Sequence, residues 1–84
     1  MKKEFQAEAS EMLHAIATAL VDDTNAVDVN VTNNNNVYLF SLSAKKEDTG
    51  KLIGREGRTA TMIRNLLNAV ASKHGVRAIL DIAE

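Results

Sequence analysis

Apolar side chains recur at steps of three and four through the start of the chain, at Phe5, Ala9, Met12, Leu13, Ile16 and Leu20. That spacing puts them on one face of an amphipathic helix running from about Lys3 to Val21. Asp22 and Asp23 fall just beyond it, because carboxylates are disfavoured against the negative end of a helix dipole. The period then drops to two. Val27, Val29 and Val31 alternate with Asp28, Asn30 and Thr32, the pattern of a half-buried strand. The run Asn33-Asn34-Asn35-Asn36 reads as a turn, since asparagine tolerates left-handed backbone. Beyond it Tyr38, Phe40 and Leu42 alternate with Val37, Leu39 and Ser41. A four-residue loop would pair Thr32 with Val37 and set Val31, Val29 and Val27 opposite Tyr38, Phe40 and Leu42. All six apolar residues would then share one face of a hairpin.

Glu47 and Asp48 suit the start of a short helix, and Gly54 its end. A longer helix begins near Gly57 or Arg58, carries the stripe Ile63, Leu66, Leu67, Val70 and Ala71, and stops at Gly75. Val76, Ala78, Leu80 and Ile82 alternate with Arg77, Ile79 and Asp81 in a third strand. Two helices between the second and third strands make a crossover, so those strands run parallel. The expected fold is α+β, in the order α-β-β-α-α-β. It is a three-stranded mixed sheet with helices packed on one face, in a single domain over residues 1–84.

The chain has no cysteine, which excludes disulfides, thiolate zinc sites and cysteine nucleophiles. No apolar run approaches the ~20 residues of a membrane span, and no signal-peptide pattern opens the sequence; a cytoplasmic location is expected. The net charge of −1 conceals an uneven distribution. Residues 1–32 sum to −4, whereas residues 33–64 carry Lys45, Lys46, Lys51, Arg55, Arg58 and Arg64 against Glu47, Asp48 and Glu56, a net of +3. A local positive field is what phosphate binding requires, and the overall balance does not report it.

Within the positive segment, between the two helices, lies Ile53-Gly54-Arg55-Glu56-Gly57. Two glycines three apart carry little alone, since about 0.4 such pairs are expected by chance in a chain this long. A helix C-cap explains Gly54. It does not explain Gly57 at a helix start, where Ser, Thr, Asp or Asn would cap better. Both make sense if a sugar-phosphate chain approaches the loop closely and the second helix points its N–H groups at phosphate. Arg55 and Arg58 supply charge, with Lys51 one turn earlier. Such a loop clamps four nucleotides in KH domains.

The sequence resembles the small bacterial KH-domain RNA-binding proteins, the KhpA-like group. The resemblance rests on Ala19-Leu20-Val21-Asp22, on the run from Asp48 through Gly54-Arg55-Glu56-Gly57-Arg58, on the helix from Ala60 to Val70 and on the closing strand. The element order is that of a type II KH domain. The resemblance implies a cytoplasmic, non-catalytic protein that binds single-stranded RNA, as a homodimer or paired with a larger KH-containing protein. It makes Gly54, Arg55, Glu56 and Gly57 the backbone clamp, with Ile53 on the floor of a groove for bases and the asparagine turn as the variable loop at its other edge. Aromatic stacking is not expected, because Tyr38 and Phe40 are needed in the core. Glu56 sets a carboxylate where phosphates should sit, so weak binding with little sequence preference follows.

Neither His14 nor His74 has companions suited to a metal, and no serine elbow or paired acids suggest catalysis. No cofactor, metal or small-molecule substrate is expected. Met62, Leu66 and Ala69 lie off or at the margin of the main stripe of the long helix, as a second interface would require. Two functional readings remain: an RNA clamp, and a KH-fold dimerisation or protein-interaction module whose RNA binding is weak or supplied by a partner. Single-stranded DNA is a further ligand for a clamp that grips phosphate.

Overall fold

A computed structural model describes residues 2–83, with side chains from Glu4 onward. Helix α1 spans Lys2–Leu20 and buries Phe5, Ala9, Leu13 and Ala17 completely. These four follow a single i+4 row along one side of the helix. Leu20 lies off that row and is exposed, while Ala17 and Val21 take the core positions that the expected stripe left out. Asp22 and Asp23 lie past the helix end, as their charge requires, and the Asp23 carboxylate accepts the Asn25 N–H at 3.2 Å to cap a short 3-10 turn.

Strands β1 (Asp28–Asn34) and β2 (Val37–Ser43) form the antiparallel hairpin, but with a different register from the one expected. Asn34 pairs with Val37, Val31 with Phe40 and Val29 with Leu42. Val27 precedes the strand. Asn35 and Asn36 both take left-handed φ, 53° and 66°, the requirement of the tight two-residue connection. The strands therefore zip two residues further toward the tip than a four-residue loop allows. A slip of two preserves side-chain parity, so Val29 and Val31 stay on the face of Tyr38, Phe40 and Leu42.

Helix α2 (Thr49–Ile53) and helix α3 (Arg58–Lys73) follow, and strand β3 (Arg77–Ile82) returns parallel to β2. The sheet order β1-β2-β3 puts β2 in the centre. Gly75 ends α3 with φ 70°. The N–H groups of Gly75 and Val76 donate to the Ser72 and Ala71 carbonyls, the paired bonds of a Schellman stop.

All three helices pack on one face of the sheet. Phe5 meets Tyr38 and Phe40 edge-on, with centroids 4.9 and 6.0 Å apart, and Leu52, Ile63, Leu67 and Leu80 complete the core. The opposite face exposes Leu39 and Ile79, which sit side by side on β2 and β3. His74 packs its ring on Phe5 and lies 3.1 Å from Glu8 Oε1, tying the end of α3 to α1. Among the described residues no helix is long and apolar enough to cross a membrane.

Candidate nucleic-acid interface

The junction of α2 and α3 is built on three successive backbone features that its sequence dictates. The Gly54 N–H closes α2 on the Gly50 carbonyl at 2.8 Å, and Gly54 then adopts φ 78°, ψ 173°. That region is open in practice only to glycine. A Cβ at Gly54 would overlap the Thr59 side chain and stand 2.8 Å from the Thr59 backbone nitrogen. Arg55–Gly57 form one 3-10 turn, with the Gly57 N–H on the Gly54 carbonyl and the Arg58 N–H on the Arg55 carbonyl. Gly57 is left-handed, φ 75°, ψ 12°, and nothing lies within 4 Å of where its Cβ would be.

The two glycines thus have different reasons. Gly54 lets the loop close on its own helix. Gly57 turns the chain and leaves its outer side open. No side chain caps α3. The N–H groups that follow Arg58 in its first turn accordingly keep the positive end of the dipole uncapped.

The cations around this loop are unequally available. Arg55 is exposed and, among the described residues, enters no ion pair. Arg58 is exposed with its Nη2 3.2 Å from Glu56 Oε1. Lys51 is committed elsewhere: its ammonium lies 3.1 Å from Asp48 Oδ1 and 3.4 Å from Asp22 Oδ2. The bond to Asp48, then the charge of Asp22, raise the Lys51 pKa above its usual value. Asp48 is nearly buried, and its other oxygen accepts the Asp23 N–H at 3.0 Å. That backbone bond lowers the Asp48 pKa most; desolvation opposes it and Lys51 adds to it. These contacts pin the end of α1 to the start of α2. Lys51 is therefore part of the joint that holds the loop.

Ile53 is half-buried and packs on the core. A cleft of about 190 Å³ opens between α3 and β3, lined by Arg64, Leu67, Asn68, Ala78, Ile79 and Leu80. Arg64 donates from Nε to the Leu80 carbonyl at 3.3 Å, covering part of the outer edge of β3. Arg64 lies roughly 9 Å along the helix axis from Arg58, at 1.5 Å per residue. In the sequence Arg64 contributes to the positive segment, but no motif marks it, Asn68 or Ile79 as part of the site. The signal available was position: Arg64 and Asn68 share a helix face with the buried Ala60, Leu67 and Ala71, on the side that meets the edge strand. A larger depression of about 430 Å³ between α1 and β1 is edged by Glu11 and Asp28, which disfavour a phosphate chain. Phe5, Tyr38 and Phe40 are all buried, so no aromatic ring is presented for stacking.

Met62 and Leu66 are 62% and 50% exposed, and Ala69 continues the same outer face of α3. Leu66 is thereby removed from the core stripe in which periodicity placed it, and Ala60 takes a buried position instead.

A family model described as KhpA/KhpB, KH domain, matches residues 10–82. A protein named RNA-binding protein KhpA from Caldanaerobacter subterraneus subsp. tengcongensis is 42% identical over 72 residues, covering 86% of this chain and 96% of its own. Another of that name, from Chlamydia pneumoniae, is 42% identical over 74 residues, covering 88% of this chain and 95% of its own. A third, from Borreliella burgdorferi, is 38% identical over 74 residues, covering 88% and 90%. Among solved structures, Aquifex aeolicus Era superposes with a TM-score of 0.57 at 16% identity, over 88% of this chain and 29% of that one. That likeness concerns the fold.

Proposed function

Because the chain belongs to the KhpA/KhpB KH-domain family, we propose that it binds single-stranded RNA by clamping the sugar-phosphate chain against Gly54-Arg55-Glu56-Gly57. The observation that carries this reading is the open outer side of Gly57 beside an uncapped α3, with Arg55 unpaired next to it. A phosphate seated there meets helix N–H groups, the positive dipole end and one or two guanidinium groups. Downstream bases lie along the α3–β3 cleft, where Arg64 and Asn68 offer donors. Ile53 holds the loop to the core from below. The protein performs no chemistry and acts in the cytoplasm, protecting, annealing or delivering transcripts.

The exposed face of Met62, Leu66 and Ala69 is the proposed dimer face, toward a second copy or a larger KH-containing protein. It also favours a second reading, in which pairing is the main task and the partner supplies RNA affinity. Fluorescence-anisotropy titration of a short unstructured RNA separates the two, comparing the natural chain with an Arg55→Asp, Glu56→Asp double variant. Two or three neutralised phosphates give a log–log salt slope of about −1.4 to −2.1 on single strands. Binding that disappears in the folded double variant supports the clamp. Equal binding by both, or none by either, moves the assignment to the pairing module. A matched DNA oligonucleotide tests whether the 2′-hydroxyl contributes.

A further inference from the structure

The second arginine of the loop already has an anionic partner. Glu56 and Arg58 meet at 3.2 Å while 72% and 77% of their side chains remain exposed. Glu56 holds this place in left-handed backbone, φ 57°, ψ 26°, a conformation that long side chains seldom adopt. With Lys51 held between Asp48 and Asp22, Arg55 is the one loop cation without an internal counter-ion among the described residues.

We infer that Glu56 is an internal competitor for phosphate: its carboxylate occupies the position at Arg58 that an RNA phosphodiester takes, and so limits the affinity of the loop. The inference rests on the clamp reading above. The contact is a brake and not a lock. An exposed ion pair is weak, whereas phosphate gains charge-assisted bonds from a guanidinium together with the helix N-terminus. Phosphate therefore displaces the carboxylate, at a cost. The displaced carboxylate stays within the loop, beside the incoming negative charge. It offsets part of what Arg58 neutralises, so fewer counterions leave the RNA when it binds.

Two signatures follow that loss of structure cannot mimic, because both are gains. Removing the charge tightens binding by about two- to fivefold at low salt, the worth of an exposed pair. It also steepens the log–log salt slope by up to about 0.7, the share of one phosphate on a single strand.

The experiment is anisotropy titration of one fluorescein-labelled unstructured RNA across several salt concentrations. It compares the natural chain with Glu56→Gln, Glu56→Asp and Arg55→Asp, each checked for folding by circular dichroism. The expected result is tighter binding and a steeper slope for Glu56→Gln, a clearly smaller gain in both for Glu56→Asp, which keeps the charge, and loss of binding for Arg55→Asp. A gain in Glu56→Asp as large as that in Glu56→Gln would overturn the inference, because aspartate keeps the negative charge in the loop and that charge could not then be what limits binding. Natural affinity and slope in Glu56→Gln, with binding still lost in Arg55→Asp, would overturn it while leaving the clamp intact. Unchanged binding in Arg55→Asp would remove the clamp reading and the inference with it.

Discussion

Replacing each loop glycine by alanine separates internal packing from ligand approach. At Gly54 (φ 78°, ψ 173°) the backbone conformation costs a non-glycine residue about 1–3 kcal/mol. The new Cβ would also stand 2.6 Å from Thr59 Cβ and 2.8 Å from its backbone nitrogen. Backbone cannot swing aside as a side-chain tip can, so relief requires α3 to shift, at a typical overpacking cost of about 1–3 kcal/mol. Gly54→Ala should thus lose roughly 2–6 kcal/mol from a domain whose total stability is about 4–13 kcal/mol. At ~4–8 °C per kcal/mol, the Tm falls by about 8 °C or more. At Gly57 only the left-handed φ matters, because the space beyond is empty. Gly57→Ala should cost about 1–2 kcal/mol, and Gly57→Asn less, since asparagine tolerates this region. RNA binding should rank the variants differently. Gly57→Asn stays folded but fills the side from which phosphate approaches, losing at least one charge-assisted bond and about tenfold in affinity. Thermal and urea unfolding followed by circular dichroism give the stabilities, and anisotropy on the folded variants gives the affinities. Equal destabilisation by the two alanine changes would refute the packing argument at Thr59. Natural affinity in Gly57→Asn would refute the approach argument.

The joint around Asp48 makes a pH prediction. Asp48 has its pKa lowered on folding, chiefly by the Asp23 N–H, so its ionised form favours the folded state. That contribution is full above the unfolded value of about 3.9 and is lost as pH falls through the lower folded value. Asp48→Asn should therefore have a lower urea midpoint at pH 7 and a shallower decline below about pH 4; parallel acid limbs would exclude the joint as their cause. Arg64→Ala should leave the loop unchanged yet weaken binding several-fold and flatten any preference among RNA homopolymers, read by competition anisotropy, and an unchanged ranking would remove the cleft from the site. Leu66→Glu, at a half-exposed position, should keep the Tm of the folded unit within a few degrees while light scattering shows a shift to monomer. Unchanged mass would exclude the outer face of α3 as the contact.

What the sequence disclosed was governed by periodicity, and what it withheld was governed by geometry at single residues. Alternation at Val29 and Val31 against Tyr38, Phe40 and Leu42 is enough to fix the inward face, because parity survives a slip of two. It is not enough to fix register, which the left-handed pair Asn35 and Asn36 decides by closing a two-residue turn. The stripe of α1 marks a helix but not which edge of its apolar face meets the core, where Ala17 is buried and Leu20 is left exposed. Around the loop, charge could be counted but not allocated. Nothing in the spacing of Lys51 shows that Asp22, twenty-nine residues earlier, folds back to hold it. Likewise, the distinct tasks of Gly54 and Gly57 depend on where Thr59 sits in three dimensions.

On the proposed reading, the allocation of charge gives pairing of two copies a use. With Lys51 committed to the joint and Arg58 shared with Glu56, one protomer has little charge left to hold a strand, and its complex should dissociate quickly. Helix α3 begins at the loop, lines the cleft with Arg64 and Asn68, and turns Met62, Leu66 and Ala69 outward. On the proposed reading, a contact through that outer face fixes two loops on one rigid frame. A strand long enough to reach both then binds the second intramolecularly, at an effective concentration set by the span, and avidity rises with no new contact. A strand too short to span gains nothing. Weak single sites joined in this way discriminate by the length and openness of an RNA more than by its sequence, which is consistent with a clamp that grips the backbone and presents no aromatic ring.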